Sequence, residues 1–416
     1  MAKYYGSTTP ALSAGNQRKI SQPIRFGRCG VRIVHVANFY GPSSGGIKTT
    51  LHELGAGYLK YGHEFIYIVP GPRYLKEQTP FGLKISLPSI TLIGSGGYQI
   101  IRSNRQLLNL LEFLHPDRVE VSDRFTLMKV GKWTKQNKIA SLVFSHETLN
   151  GLVKKYAGFI PTAIRSKFVN WHNRKLASNF DQVIATTNFA AAEFEQIGIT
   201  NLNKIALGVD LEQFNPANRD LALRTSLLKG SRYLLIHCGR LSPEKEPARS
   251  VQAVEKLIEA GIDVRLVIIG GGPLWKKIRK QSSNLPVEML GYIANRKKVA
   301  EYLASADVAI APGPLETFCL SALESLASGT PVVASASSAV GEILDITSTN
   351  PAGAVAKDNG ASFANEINKL LRDSSLRVTA RKQAELYSWT NTVHKMLELH
   401  GAKQPMVVTK RRLRVA

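Results

Sequence analysis

The chain has 416 residues, 44% of them hydrophobic, with 54 Lys+Arg against 31 Asp+Glu for a formal net charge of +23. That length suits two domains of roughly 200 residues rather than one core, and no apolar run approaches the ~20 residues that span a bilayer. Cys29, Cys238 and Cys319 lie far apart with no CxxC or Cys/His cluster, which excludes a disulfide framework and structural zinc and fits a cytoplasmic protein. The charge excess points to an anionic partner, either nucleic acid, an anionic lipid surface or phosphorylated small molecules.

Residues 1–29 are rich in Ser, Gly, Gln, Lys and Arg and read as a disordered basic extension. From Val31 strand and helix patterns alternate: VRIVHVA is a buried strand, Asn38 to Gly46 a Gly/Pro/Ser loop, Ile47 to Tyr61 a helix, and EFIYIVP a strand ending at Pro70. Strands recur at RVEVS from Arg118, SLVFS from Ser141 and QVIATT from Gln182. This alternation predicts βαβ units around a parallel sheet, so residues 30–207 form a first Rossmann-like domain. Residues 208–230 lose the pattern and read as an interdomain connection. The rhythm restarts at YLLIHCG from Tyr233, VRLVIIG from Val264, PVEML from Pro286, DVAIAP from Asp307 and PVVAS from Pro331, giving a second Rossmann-like domain over residues 231–388. Residues 389–416 form a C-terminal helix and basic tail. The predicted class is α/β, with two doubly wound domains facing across a cleft, since open α/β sheets bind ligands beyond the carboxyl ends of their strands.

Several loops at those ends carry unusual chemistry. GPSSGGIKTT from Gly41 misses the P-loop pattern because Ile47 occupies the lysine position and Lys48 comes one place late, yet Gly45 and Gly46 at a helix start let a backbone approach a diphosphate closely. No G-x-G-x-x-G follows the first strand; Gln99 spoils the run from Gly94, and GGGP from Gly270 lacks the spacing, which argues against a nicotinamide cofactor. In HCGRLSPEKEP, Arg240 and Lys245 stand five residues apart, a planar fork and a point charge suited to neighbouring phosphates. The stretch PGPLETFCLSALESLASGTPVVAS from Pro312 sets Glu316 in a loop and Glu324, eight residues on, in a helix. Backbone N–H groups near Phe318, Cys319 and Leu320 open that helix and suit phosphate. The two carboxylates would repel phosphate and suit sugar and ribose hydroxyls instead.

Other residues leave alternatives open. His146, in FSHETLN, fits a sugar contact or a satisfied polar side chain; Asp123, closing RVEVSD, fits a Walker B acid or a helix cap. PTAIRSKFVNWHNRKLASNF from Pro161 sets Arg165, Lys167, Arg174 and Lys175 in a helical pattern with Ile164, Phe168, Trp171 and Leu176, which suits anionic headgroups or packing on its own domain. No D-x-D metal loop or His cluster of zinc spacing occurs, and no nucleic-acid module accompanies the charge, so neither metal nor nucleic acid is expected. A P-loop-like NTPase using Gly41 to Thr49 with Asp123 is the competing enzyme class.

Together the motifs resemble the retaining glycosyltransferases of the two-domain GT-B fold, family 4 type, from Val31 to about Trp389. ANFYGPSSGGIKT, SHETL, LGVD, HCGRLSPEK and APGPLETFCLSALES are similar to actinobacterial GDP-mannose-dependent mannosyltransferases that build phosphatidylinositol mannosides. The resemblance implies an acceptor-binding first domain and a second domain that binds the nucleotide sugar. Arg240 and Lys245 would hold the diphosphate, Glu324 the ribose and Glu316 the donor sugar. Gly45 and Gly46 would approach the phosphates from the opposite domain, and Gly272 with the N–H groups of Phe318, Cys319 and Leu320 would complete the donor site. His146 would contact the transferring sugar, with His146 and Asp123 as acceptor-side candidates. GDP-mannose is the implied co-substrate, no metal is required, and an anionic glycolipid would be met by the basic first domain on the inner face of the plasma membrane. Thr317 and Cys319 stand where glycines are common in an E-G-F-G version of the loop, and Glu246 where Gly often follows the lysine.

Overall fold

The computed structural model describes residues 30–41, 45–92 and 97–402. The basic extension, the loop tip at 42–44, the glycine run at 93–96 and the tail from 403 lie outside the described residues. Among the described residues the first domain holds a nine-stranded sheet: β1 (Arg32–Ala37), β2 (Glu64–Gly71), β3 (Leu75–Thr79), β4 (Gly82–Thr91), β5 (Gln99–Ile101), β6 (Arg118–Ser122), β7 (Ala140–Ser145), β8 (Gln182–Ala185) and β9 (Leu202–Lys204), in the order β3-β4-β2-β1-β6-β7-β8-β9 with β5 on β4. The second holds six strands: β10 (Tyr233–Cys238), β11 (Val264–Ile269), β12 (Val287–Gly291), β13 (Val308–Ala311), β14 (Val332–Ser335) and β15 (Gly353–Ala356), in the order β12-β11-β10-β13-β14-β15.

The central strands are parallel and covered by helices on both faces, which is why they read as continuous apolar runs rather than alternating ones. Two clusters of buried apolar side chains flank each sheet, as Val34, Val36 and Val119 against Ile33, Leu51 and Phe144 show for the first. β3, β4 and β5, of which β4 runs parallel to β2 and antiparallel to the other two, were not legible as strands; β3 reads LKEQT, is largely exposed, and buries no apolar face that would leave a pattern. β9 and β15 are three and four residues long and equally silent.

The boundaries differ from the expected ones in one respect. Phe214 and Leu227, inside the stretch expected to be a connection, are buried in the second domain's core. The crossing itself is narrow: Val209 donates its N–H to Tyr387 O at 3.0 Å and pairs in parallel with Ser388, so the outgoing and returning chains run side by side. The returning helix Trp389–Leu399 then packs on the first domain. Val393, Met396 and Leu397 join the cluster of Leu51 and Leu54, and Gly57 has no room for a Cβ, which would lie 2.4 Å from Val393.

Candidate active site

The cleft opens where the carboxyl ends of both sheets meet, and holds a cavity of about 380 Å³. From the first domain it is lined by Gly45 and Gly46 after β1, Tyr98 before β5, and His146 and Glu147 after β7; from the second by Arg240 and Lys245 after β10, Gly270 and Gly271 after β11, and Glu316 to Leu320 after β13. Glu324, one turn into the helix Leu320–Ala327, reaches the same cavity. Gly270 and Gly272 adopt φ of +146° and +155°, and a Cβ at either would strike the backbone of Gly239 or Leu241, so glycine is needed to lay these loops together.

Charges in the cleft are paired across loops. Lys245 Nζ donates to Glu316 Oε1 at 2.6 Å. Burial works against the Lys245 ammonium, but Glu316 outweighs it and holds the group above the ordinary lysine range. Glu324 pairs with Arg296, whose guanidinium also stacks on Phe214 at 4.8 Å; burial pushes the Glu324 carboxyl up against the pull of that arginine. Arg240 lies 4.2 Å from the centroid of the Tyr98 ring, a contact made from one domain to the other. Among the described residues no hydrogen bond takes the backbone N–H of Phe318, Cys319 or Leu320. These groups open the Leu320–Ala327 helix at an end that favours negative charge.

Several contacts hold the domains together around the cavity. Thr317 donates its hydroxyl to His146 O at 2.6 Å, and its own carbonyl accepts from Thr186 and Thr187 at 3.1 and 2.9 Å. Lys155 pairs with Glu246 at 2.9 Å, and Glu342 accepts the N–H groups of Asn188 and Phe189 at 2.8 and 2.5 Å. His146 Nε2 lies 2.8 Å from Ser122 Oγ. The ring is pushed down to about 4 by burial, so it is neutral at neutral pH. Glu147 beside it is pushed up to about 7 by burial, with Arg124 and Lys245 opposing and Asp123 and Glu193 adding.

Two family models match the chain, "Glycosyltransferase Family 4" over residues 44–213 and "Glycosyl transferases group 1" over residues 218–387. A GDP-mannose-dependent alpha-(1-6)-phosphatidylinositol dimannoside mannosyltransferase of Mycobacterium tuberculosis is 42% identical over 376 residues, covering 89% of this chain and 96% of its own. The chain belongs to the family 4 glycosyltransferases. A GDP-mannose-dependent alpha-mannosyltransferase of Corynebacterium glutamicum is 25% identical over 309 residues, 73% of this chain and 72% of its own. Among solved structures, the sucrose-phosphate synthase of Thermosynechococcus elongatus superposes with a TM-score of 0.68 at 19% identity, covering 89% of this chain and 98% of that one. Anabaena Alr3699/HepE in complex with UDP and glucose gives 0.68 at 16%, covering 88% and 98%. These likenesses carry the GT-B fold expected from the sequence.

In this glycosyltransferase the structure brings most of the expected residues to one cavity: Gly45, Gly46, His146, Arg240, Lys245, Glu316, Phe318, Cys319, Leu320 and Glu324. Two fall elsewhere. Gly272 packs against Leu241 outside the cavity lining, which takes Gly270 and Gly271 from that turn instead. Asp123 is buried and spent: Oδ1 accepts the N–H groups of Phe125 and Thr126 at 2.7 and 3.1 Å, and Oδ2 accepts from Asn38 at 2.8 Å. It caps the following turn, and with the Thr126 hydroxyl also donating to Oδ2 both oxygens are engaged within the first domain. The sequence reading missed Tyr98, Glu147 and Arg296. Glu147 alone had a signal, its place beside His146 after a strand. Among the described residues no group of three or more His, Cys, Asp or Glu is arranged to hold a metal ion, and no helix is long and apolar enough to cross a membrane.

Proposed function

We propose that the protein transfers mannose from GDP-mannose, with retention of configuration, to a phosphatidylinositol mannoside at the cytoplasmic membrane face. The observation that carries this reading is the 42% identity, running through both domains, with the mycobacterial enzyme of that named activity. The geometry supports it. Lys245 and Arg240 present cations to one cavity with Glu316 and Glu324, the pairing that a diphosphate flanked by two hydroxyl-bearing rings requires. In the proposed roles Arg240, Lys245 and the open N–H groups of Phe318 to Leu320 stabilise the negative charge that develops on the departing GDP. Glu316 would exchange its bond with Lys245 for donor-sugar hydroxyls, and Glu324 would hold the ribose. His146 contacts the transferring sugar, and the leaving phosphate takes the acceptor proton on the same face.

The membrane part of the reading rests on the surface of the helices Leu149–Tyr156 and Thr162–Asn179. Phe159 is 86% exposed and Trp171 55%, with Tyr156, Ile164 and Phe168 exposed beside them, while Leu176 turns inward and is buried. Lys175 Nζ lies 4.5 Å from the Trp171 ring centroid, so cation and aromatic share one face. Apolar rings set among Lys154, Arg165 and Lys167 suit anionic headgroups.

A panel of nucleotide sugars tests the donor. GDP-mannose at 100-fold its dissociation constant should stabilise the protein by about 2.7 kcal/mol, and linkage analysis of a mannosylated glycolipid tests the acceptor. Stabilisation by UDP-glucose and none by GDP-mannose would replace the donor.

A further inference from the structure

Behind His146 lies a hydrogen-bonded chain whose inner members none of these roles uses. His146 Nε2 is 2.8 Å from Ser122 Oγ, which is 2.8 Å from His35 Nε2, and His35 Nδ1 is 2.6 Å from Glu120 Oε2. The other oxygen, Glu120 Oε1, accepts from the Tyr58 hydroxyl at 2.6 Å and from His400 Nε2 at 2.7 Å. Ser122, His35, Glu120, Tyr58 and His400 are all buried, and the Phe144 ring stacks on both His35 and His146 at 5.6 and 5.5 Å. In such an enclosed chain each contact has one donor and one acceptor, so the hydrogens can be assigned in order.

Burial pushes the Glu120 carboxyl up, but the hydrogen bonds from His35 and His400 overcome it and hold the group well below the usual carboxylate range. An ionised carboxylate only accepts, so His35 Nδ1 and His400 Nε2 both carry hydrogen. His400 is the C-cap residue of the helix Trp389–Leu399, at the end where the helix dipole favours positive charge. His35 is enclosed instead by the rings of Phe65 and Phe144. With its one ring hydrogen on Nδ1 toward Glu120, His35 accepts the Ser122 hydroxyl at Nε2. Ser122 has then spent its one hydrogen, and its oxygen accepts from His146 Nε2–H. His146 Nδ1, which makes no hydrogen bond among the described residues, is left with a lone pair.

We propose that Ser122, His35 and Glu120 are positioning residues that hold His146 in the Nε2–H tautomer, so that its Nδ1 presents a hydrogen-bond acceptor to a hydroxyl of the bound carbohydrate. The proposal rests on the reading of His146 as a sugar contact. His400 arrives on the chain returning from the second domain, so the arrangement is complete only when the C-terminal helix is docked on the first.

The test uses the full chain labelled with 15N-histidine at neutral pH, with the His146 signals among the nine histidines assigned by their loss in His146→Ala. The expected spectrum shows His146 carrying its hydrogen on Nε2; a hydrogen on Nδ1 overturns the proposal. Ser122→Ala should lower kcat/KM about tenfold, the worth of one hydrogen bond. That loss should vanish in the His146→Ala background, because Ser122 acts through His146. Losses that multiply in the double variant overturn the proposal, as does wild-type kcat/KM in Ser122→Ala. Wild-type turnover in His146→Ala would instead remove the sugar-contact reading and leave the spectrum to decide the relay.

Discussion

Replacing Lys245 by Ala is the sharpest perturbation of the proposed donor site. Its ammonium sits 2.6 Å from Glu316 Oε1 inside the cavity. A charge-assisted bond to a phosphate contributes ~1.5–3 kcal/mol to binding, and removing a preorganised stabiliser of developing charge costs about 2.7–4 kcal/mol, or roughly 10²–10³-fold in kcat. Truncation also uncovers Glu316, which then repels the diphosphate that Lys245 had screened from it. The two effects act in the same direction, so kcat/KM for GDP-mannose should fall by at least about 10²-fold. Lys245→Met keeps the aliphatic stem and should fall as far, which separates charge from packing. Initial rates of GDP release with a glycolipid acceptor measure both. A loss confined to a few-fold in either variant would refute the assignment of Lys245 to the leaving group.

Three further outcomes are expected. Glu147, pushed up to about 7, gains its charge as pH rises through that value, so kcat/KM should show a limb between about pH 6 and about pH 8 that Glu147→Gln lacks; an unchanged limb would assign the titration to another group. His237 is buried in the second domain and pushed down to about 4, by burial and then by Lys245. Between the unfolded value near 6.5 and that value the unfolded chain binds a proton that the native one does not. Stability should therefore fall with falling pH by ~1.4 kcal/mol per unit at most for this group. Urea melts of wild type and His237→Gln at about pH 6.5 and about pH 4.5 should differ in that slope. Finally, the double variant Phe168→Ala/Trp171→Ala should lose tenfold or more in binding to phosphatidylinositol-containing vesicles, at ~1.5–3 kcal/mol per inserted ring, with an unchanged melting temperature because both rings face solvent. Equal vesicle binding would move the membrane face elsewhere.

The fold was legible because parallel strands buried on both faces leave apolar runs, and VRIVHVA and VRLVIIG are such runs. Glu316, Glu324, Arg240 and Lys245 were legible because charged residues at strand ends have few structural reasons to be there. What was not legible depends on contacts between distant segments. Ser122 and Glu120 look like ordinary members of a strand, and only the register of β1 against β6, which pairs His35 with Glu120, makes them a relay. Tyr98 meets Arg240 across the cleft from 142 positions away, counting 240 less 98, a distance at which sequence spacing carries no information. Phe214 and Leu227 were hidden for the opposite reason: isolated apolar residues among polar ones have no period until a core surrounds them.

The departures from the resembled glycine pattern now have a physical content. Glu246 and Cys319 adopt φ of +46° and +71°, the left-handed region that explains glycine at such positions and that costs another residue about 1–2 kcal/mol. Thr317 needs no such φ. Cys319 gives the chain no reactive group in return, since burial and then Glu316 push its thiol up to about 12 and keep it protonated. Glu246 and Thr317 do give something: their side chains reach Lys155 and the His146 carbonyl, both in the opposite domain. Glycine at these two positions could make neither bond. Side chains placed there therefore stabilise the approach of the domains at the rim of the donor site, and in Glu246 the strain of the left-handed turn is set against an interdomain ion pair.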